Sequence, residues 1–238
     1  MVRIVWLSLV VLASLLGNLL AQGKPSNSKA TRPNILFIVS DQQRWDCVGA
    51  NGNRLIKTPS MDRLAAAGAN FTHMFVNAPV CVPSRASFFT GRYPHSHRNR
   101  VNYTPLSKSE VLMQARLKKA GYSTASVGKL HLWPPTVLEA KQTGFDHVEL
   151  HDAVRNLDRF SDYAQWRKAN DPNADSFYYR KLAKDIEPGK NPFRAAIDDK
   201  YSETTWVGQR TRHYLKKTLC RRPTVLFVQL VLEATFTV

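Results

Sequence analysis

Pro33-Asn34 leads into Ile35-Leu36-Phe37-Ile38-Val39, a run of branched and aromatic residues that breaks off at Ser40-Asp41-Gln42-Gln43. A run apolar at every position, not at alternate ones, predicts a strand covered on both faces, as in a parallel sheet. Its polar residues then emerge at the carboxyl end, where open α/β folds place their sites. Thr58-Pro59 reads as an N-cap followed by proline at the first helical position, with Met61, Leu64 and Ala65 on one face and Gly68 as the stop. Phe71 to Val76 predicts a short second strand, and Ser107-x-x-Glu110 a capping box opening a helix through Lys119 that closes on Gly121. Tyr122 to Val127 then predicts a strand delivering Gly128-Lys129-Leu130-His131, and Thr224 to Leu230 another near the end. Strands alternating with helices predict an α/β fold with a largely parallel central sheet flanked by helices. Residues 150–215 are polar, aromatic and irregular, with turns at Asp171-Pro172-Asn173 and Glu187-Pro188-Gly189. They read as a long substrate-side insertion followed by a helix.

The amino terminus lies outside that pattern. Met1-Val2-Arg3 is a positive start, Ile4 to Leu16 is apolar but for Ser8 and Ser14, and Ala21-Gln22-Gly23 is a small-x-small cleavage site. Residues 1–23 therefore read as a secretory signal peptide, too short for a bilayer span, and 24–32 as a polar linker. The expected destination is an exported compartment (periplasmic, secreted or lysosomal-type), with the membrane met only during export. The remainder, 33–238, is long enough for one sizeable domain, and 43% hydrophobic residues with five Trp fit a packed core.

A net charge of +16 asks for an anionic partner, yet the basic residues are scattered and no run exceeds a pair such as Lys118-Lys119. No nucleic-acid-binding signature accompanies them, so no nucleic acid partner is expected; a solvated basic surface or a sulfated polyanion stays open. Three cysteines leave at least one unpaired, and Cys47 and Cys220 either pair or stay free.

Three constellations carry chemistry. Asp41-Gln42 at a strand end offers oxygen donors of the kind hard cations need, although Asp41 alone also reads as a strand-end carboxylate. Cys81-Val82-Pro83-Ser84-Arg85 continues through Thr90-Gly91-Arg92; Pro83 suits the first turn of a helix, whose free N–H groups and dipole face an anion. Arg85 adds a permanent charge beside the thiol. Lys129 and His131 stand two apart after a strand, so both side chains can enter one pocket while Leu130 faces away.

The order Asp41-Gln42, Cys81-x-Pro83-Ser84-Arg85, Gly128-Lys129-x-His131 resembles the type I sulfatases, formylglycine-dependent members of the alkaline-phosphatase-like superfamily. The resemblance implies that a formylglycine-generating enzyme oxidises Cys81 to formylglycine, whose hydrate attacks sulfur in a sulfate ester. It implies that Asp41, Gln42 and the modified residue 81 hold Ca2+ or Mg2+, that Lys129 contacts sulfate, and that His131 orients the nucleophile. Arg85 joins Cys81, Lys129 and His131 as catalytic. Asn102 is a weaker candidate for the substrate anion; Asn102-Tyr103-Thr104, like Asn70-Phe71-Thr72, is also a glycosylation sequon, and a plain loop asparagine stays equally open. His95-Ser96-His97 lacks partners for a tetrahedral metal site and reads as loop surface near the pocket rim.

Family members are commonly about twice as long and carry further ligands downstream, so the resemblance implies an incomplete, C-terminally truncated N-terminal catalytic domain over 33–238. With Asp41 and Gln42 alone, tight calcium binding is not expected and this chain is expected to be weak or inactive. The expected substrate is a sulfated small molecule or polysaccharide. The form Asp41-Gln42 is similar to the choline-sulfatase and phosphonate-monoester-hydrolase branch, which keeps a phosphonate or phosphodiester hydrolase open. A non-catalytic binder of sulfated polysaccharide is the reading from a different class.

Overall fold

The computed structural model describes residues 32–132, 136–152, 160–171, 198–218 and 223–230. The expected signal peptide, most of the expected linker, Cys220, the turns expected at 172–173 and 187–189, Tyr178 and Tyr179, and the final octapeptide lie outside the described residues. The elements below belong to the unit Asn34–Val238.

Four parallel strands make the sheet: β1 (Ile35–Ser40), β2 (Ser123–Gly128), β3 (His147–Leu150) and β4 (Thr224–Leu230), in the order β1-β4-β2-β3. Ile35 stands opposite Val225 and Ser40 opposite Leu230, while Gly128 lies between Gln229 and Leu150. The helices, in chain order, are α1 (Pro59–Ala67), α2 (Cys81–Thr90), α3 (Pro94–His97), α4 (Met113–Lys119), α5 (Val137–Gln142), α6 (Asp162–Asn170) and α7 (Glu203–Thr218). Parallel strands need crossovers, and each crossover supplies a layer that covers the sheet.

The strand period sorts β4 between two cores. Val225 and Phe227 join Phe89, Phe145, Val148 and Leu150 in one cluster, whereas Leu226 and Val228 join Ala125, Val127, Tyr163, Trp206 and Val207 in the other. Phe89, Phe145 and Phe227 meet with ring centroids 5.4 to 6.1 Å apart. Trp206 is buried in the second core, so this aromatic of the expected insertion is a packing residue.

The structure corrects four expectations. β1 forms where the apolar run predicts it, but it is not covered on both faces: Leu36 is 49% and Ile38 52% exposed. It is the edge of the described sheet, with β4 as its one neighbour, so its apolar side chains find little to pack against. Phe71 to Val76 is turn and irregular chain, because a β-prone run without a neighbouring strand has no ladder to join. The capping box fails as well. Glu110 accepts from Arg92 at 2.6 Å and Ser107 Oγ is occupied by Ser109, so the helix starts later, at Met113. Finally, the region beyond residue 150 is more ordered than expected, since it holds α6, opened by Ser161 Oγ accepting from Ala164 N–H at 3.2 Å.

The predicted stop at Gly121 is found. Its N–H reaches Lys118 O at 2.9 Å, Tyr122 N–H reaches Leu117 O at 3.1 Å, and Gly121 adopts φ +91°, a Schellman closure. Gly144 is the tighter constraint. At φ +111° a Cβ there would lie 2.7 Å from Ala115 Cα, inside backbone that cannot swing away. Gly144→Ala is expected to cost roughly 2–4 kcal/mol through strain and overpacking. Urea unfolding checks this; an unchanged midpoint would mean that α4 and the β3 approach are looser than described.

Candidate active site

The predicted residues meet at the carboxyl end of the sheet. Asp41 follows β1, Cys81 opens α2, and Lys129 to His131 follow β2. The Nζ of Lys129 forms an ion pair with the Asp41 carboxylate and lies 3.9 Å from Cys81 Sγ. Arg85, one helical turn beyond Cys81, is 3% exposed and donates through Nη1 to Lys129 O at 2.6 Å. One helix therefore carries both the candidate nucleophile and the cation that holds the opposing loop.

The start of α2 explains the cysteine's setting. Val80 is extended, Ser84 N–H makes a helical bond to Val80 O at 2.9 Å, and Pro83 has no N–H to leave unsatisfied. Val82 N–H is taken by Asn102 Oδ1 at 3.0 Å. Asn102 thus stands beside the nucleophile as a cap supplied from a distant loop, with its amide oxygen committed to the helix. Gln42 is exposed next to Asp41 and has φ +53°, which turns the chain off the end of β1.

Electrostatics divide the group sharply. Burial works to raise the Asp41 pKa, but the hydrogen bond and charge of Lys129, with Arg85 behind it, win and hold it below the usual carboxylate range. His131 is pushed down to about 4 by burial, then by the charges of Lys129 and Arg85, so its imidazole is neutral at physiological pH. Burial also pulls the Arg85 pKa down, opposed by Asp41, Asp152 and Cys81.

Asp152 has no counterpart among the sequence-predicted residues. It follows β3, is buried, and accepts the His131 N–H on Oδ2 at 3.0 Å. Burial raises its pKa to about 6 despite that bond and the charge of Arg85. Beside it, His151 Nε2 meets Glu203 Oε1 at 2.8 Å, both side chains being buried. The usable signal was Glu149-Leu150-His151-Asp152, where ionisable residues crowd the end of a short strand.

His97 also departs from expectation. It is buried, not on the rim: Nδ1 accepts from Asn99 N–H at 3.2 Å and Nε2 faces Ser87 Oγ at 3.0 Å. It ties α3 to α2. His95 remains exposed, stacked on Tyr93.

The titrations of His131 and Asp152 oppose one another. His131, with a folded pKa of about 4 against 6.5, contributes stability that is lost as pH falls through that interval. Asp152, at about 6 against 3.8, contributes stability present below 3.8 and lost as pH rises through about 6. Asp152→Asn keeps an oxygen for the His131 N–H and removes the second slope. The variant should be at least as stable at pH 7 and lose stability more steeply between pH 6.5 and 4 than the parent. Urea midpoints across that range test it, and parallel curves would refute it.

Metal-binding capacity is limited among the described residues. No group of three or more His, Cys, Asp or Glu is suited to hold an ion. Asp41 and Gln42 bring two oxygen-bearing side chains, short of the six to eight ligands that calcium takes. Cys47 and Cys81 are free thiols. An open cleft of about 940 Å3, lined by Asn53, Arg54, Lys57 and Asp62 among others, includes none of the site residues. No helix among the described residues is long and apolar enough to cross a membrane.

Known proteins resemble this chain in sequence and in fold. An arylsulfatase of Clostridium perfringens is 36% identical over 149 residues, covering 57% of this chain and 30% of the relative. A mouse N-acetylgalactosamine-6-sulfatase is 37% identical over 152 residues, covering 58% of this chain and 28% of the relative. The chain thus spans less than a third of the length of these relatives. Among solved structures, a phosphonate monoester hydrolase of Agrobacterium radiobacter superposes with a TM-score of 0.67 at 25% identity, covering 84% of this chain and 41% of that one. The alkaline-phosphatase-like fold is common to them. The sulfatase family profile matches residues 33–231, and with that match over most of its length this chain belongs to the sulfatase family.

Proposed function

We propose that this chain carries the nucleophile side of a sulfate-ester hydrolase site, with Cys81 as the residue that becomes formylglycine. The observation that carries the reading is the placement of Lys129 Nζ between the Asp41 carboxylate and Cys81 Sγ, 3.9 Å from the sulfur. When present, the hydrated aldehyde supplies a hydroxyl nucleophile for the sulfur of the ester.

The chain's own residues do the rest. Lys129 and Arg85 supply fixed positive charge where a sulfate oxyanion would sit, and the amino end of α2 adds its dipole. His131, neutral at working pH, can accept or pass on a proton beside residue 81. With Oδ1 committed to Val82 N–H, Asn102 has its amide N–H groups left for an anion. Asp41 and Gln42 are the donors this chain would bring to Ca2+ or Mg2+, and by themselves they are too few.

Export through the amino-terminal signal, maturation by a formylglycine-generating enzyme and a sulfated sugar substrate complete the proposal. The name of the mouse relative, an N-acetylgalactosamine-6-sulfatase, supports the sugar. A phosphonate or phosphodiester hydrolase is the second reading, favoured by Asp41-Gln42 and by the likeness to the phosphonate monoester hydrolase. The test is to assay the matured chain side by side on an aryl sulfate and an aryl phosphodiester. A higher kcat/KM on the sulfate is expected, and the reverse order would favour the second reading. Binding of sulfated polysaccharide with neither turnover nor modification of Cys81 would make the chain a non-catalytic binder.

A further inference from the structure

We propose that Asp152 is a positioning residue of this site, holding the Lys129–His131 backbone so that Lys129 faces Cys81 and the His131 ring stays beside Lys129, Arg85 and Asp41. The loop after β2 is gripped at two points by buried groups of opposite charge. Arg85 Nη1 donates to Lys129 O at 2.6 Å, and Asp152 Oδ2 accepts from His131 N–H at 3.0 Å. Removing either side chain leaves its backbone partner unsatisfied and the other buried group without the charge that faces it.

The loop needs such a grip because its conformation is unfavourable. His131 sits at φ +49°, in the left-handed region that residues with a Cβ rarely occupy, and Gly128 at φ +104° begins the same reversal. This conformation persists only where the surroundings over-determine it. Lys129 is thus bracketed by Gly128 and His131, both at positive φ.

Asp152 is itself firmly held. His151 N–H bonds Gly128 O at 3.0 Å, carrying the β2–β3 pairing one residue past the strand. The His151 ring is fixed by Glu203 at 2.8 Å and packs on Tyr163 with centroids 4.9 Å apart. The carboxylate therefore stands on a segment anchored to β2, α6 and α7, and transmits that rigidity to His131. Its second oxygen, Oδ1, is buried without a hydrogen-bond partner among the described residues. Such a cost is tolerated where the charge has another use, here as counter-charge to Arg85.

The kinetic consequence rests on the sulfatase reading, whereas the positioning itself does not. The experiment is therefore amide hydrogen exchange in the whole chain, comparing Asp152→Ala, Asp152→Asn and the parent. In Asp152→Ala the His131 N–H is expected to exchange roughly tenfold to hundredfold faster, the loss of one buried hydrogen bond. Val127 and Leu226, in the sheet, should keep their parental rates. Asp152→Asn should stay near the parent at all three, because its amide oxygen can still accept. An unchanged His131 rate in Asp152→Ala would overturn the proposal. So would equal acceleration at Val127 and Leu226, or failure of both variants to fold, since Asp152 would then be a general folding residue. In the matured chain, kcat on an aryl sulfate should fall in Asp152→Ala with KM held, and Asp152→Asn should recover it. Absence of turnover in the parent would count against the sulfatase reading alone and leave the exchange rates to decide the role of Asp152.

Discussion

Cys81→Ala is expected to abolish sulfate-ester turnover, by about 10³-fold or more, because an alanine offers no atom that can attack sulfur. The fold should survive, since Cys81 is only half-buried at the first position of α2 and alanine suits a helix. Cys81→Ser sharpens the result. A serine hydroxyl can displace the alcohol once and take up the sulfuryl group, but it has no second hydroxyl with which to expel it. A single equivalent of alcohol per chain, followed by arrest, is the predicted course. Continued turnover by either variant would show that another group attacks the ester.

Arg85→Ala is the second large effect, and it falls on stability as well as on the site. The guanidinium is 3% exposed and faces charges from Asp41 and Asp152 while donating to Lys129 O. Truncation leaves the Lys129 carbonyl without its donor and removes the positive charge that Asp41 and Asp152 feel, a loss of about 3–5 kcal/mol on the scale of deleting one of two interacting buried charges. Arg85→Lys should recover only part of it, because an ammonium point charge cannot reproduce the guanidinium's fork of donors. Urea unfolding of the parent and both variants measures this; a loss below about 1 kcal/mol for Arg85→Ala would mean the charges are solvated.

Much of this was legible in the sequence because it is written locally. Ile35 to Val39 and Thr224 to Leu230 are apolar runs long enough to define strands, Tyr122 to Val127 is a short stretch between Gly121 and Gly128, and a strand forms at each. Gly121 closes its helix because only a left-handed residue allows both backbone bonds there. Cys81, Arg85, Lys129 and His131 were visible from residue type and spacing, and the fold brings them to one end of the sheet.

What stayed hidden depends on partners that spacing does not name. The apolar run of β1 gives no sign that the strand lies at an edge. Glu110 had every local reason to cap a helix until Arg92, distant in sequence, took its carboxylate. His97 looked like loop surface because Ser87, its partner on α2, is brought to it only by the turn between α2 and α3. The crowding of Glu149, His151 and Asp152 at a strand end marks the region but not the role of Asp152, which depends on the β2–β3 register that sets Gly128 beside Leu150 and so His131 against residue 152.

The most direct test is the mass of the peptide spanning residue 81, from chain co-expressed with a formylglycine-generating enzyme and carried through export. Chain that hydrolyses an aryl sulfate is expected to show the mass of the aldehyde at residue 81. An intact thiol at Cys81 in chain that hydrolyses the same ester would contradict it.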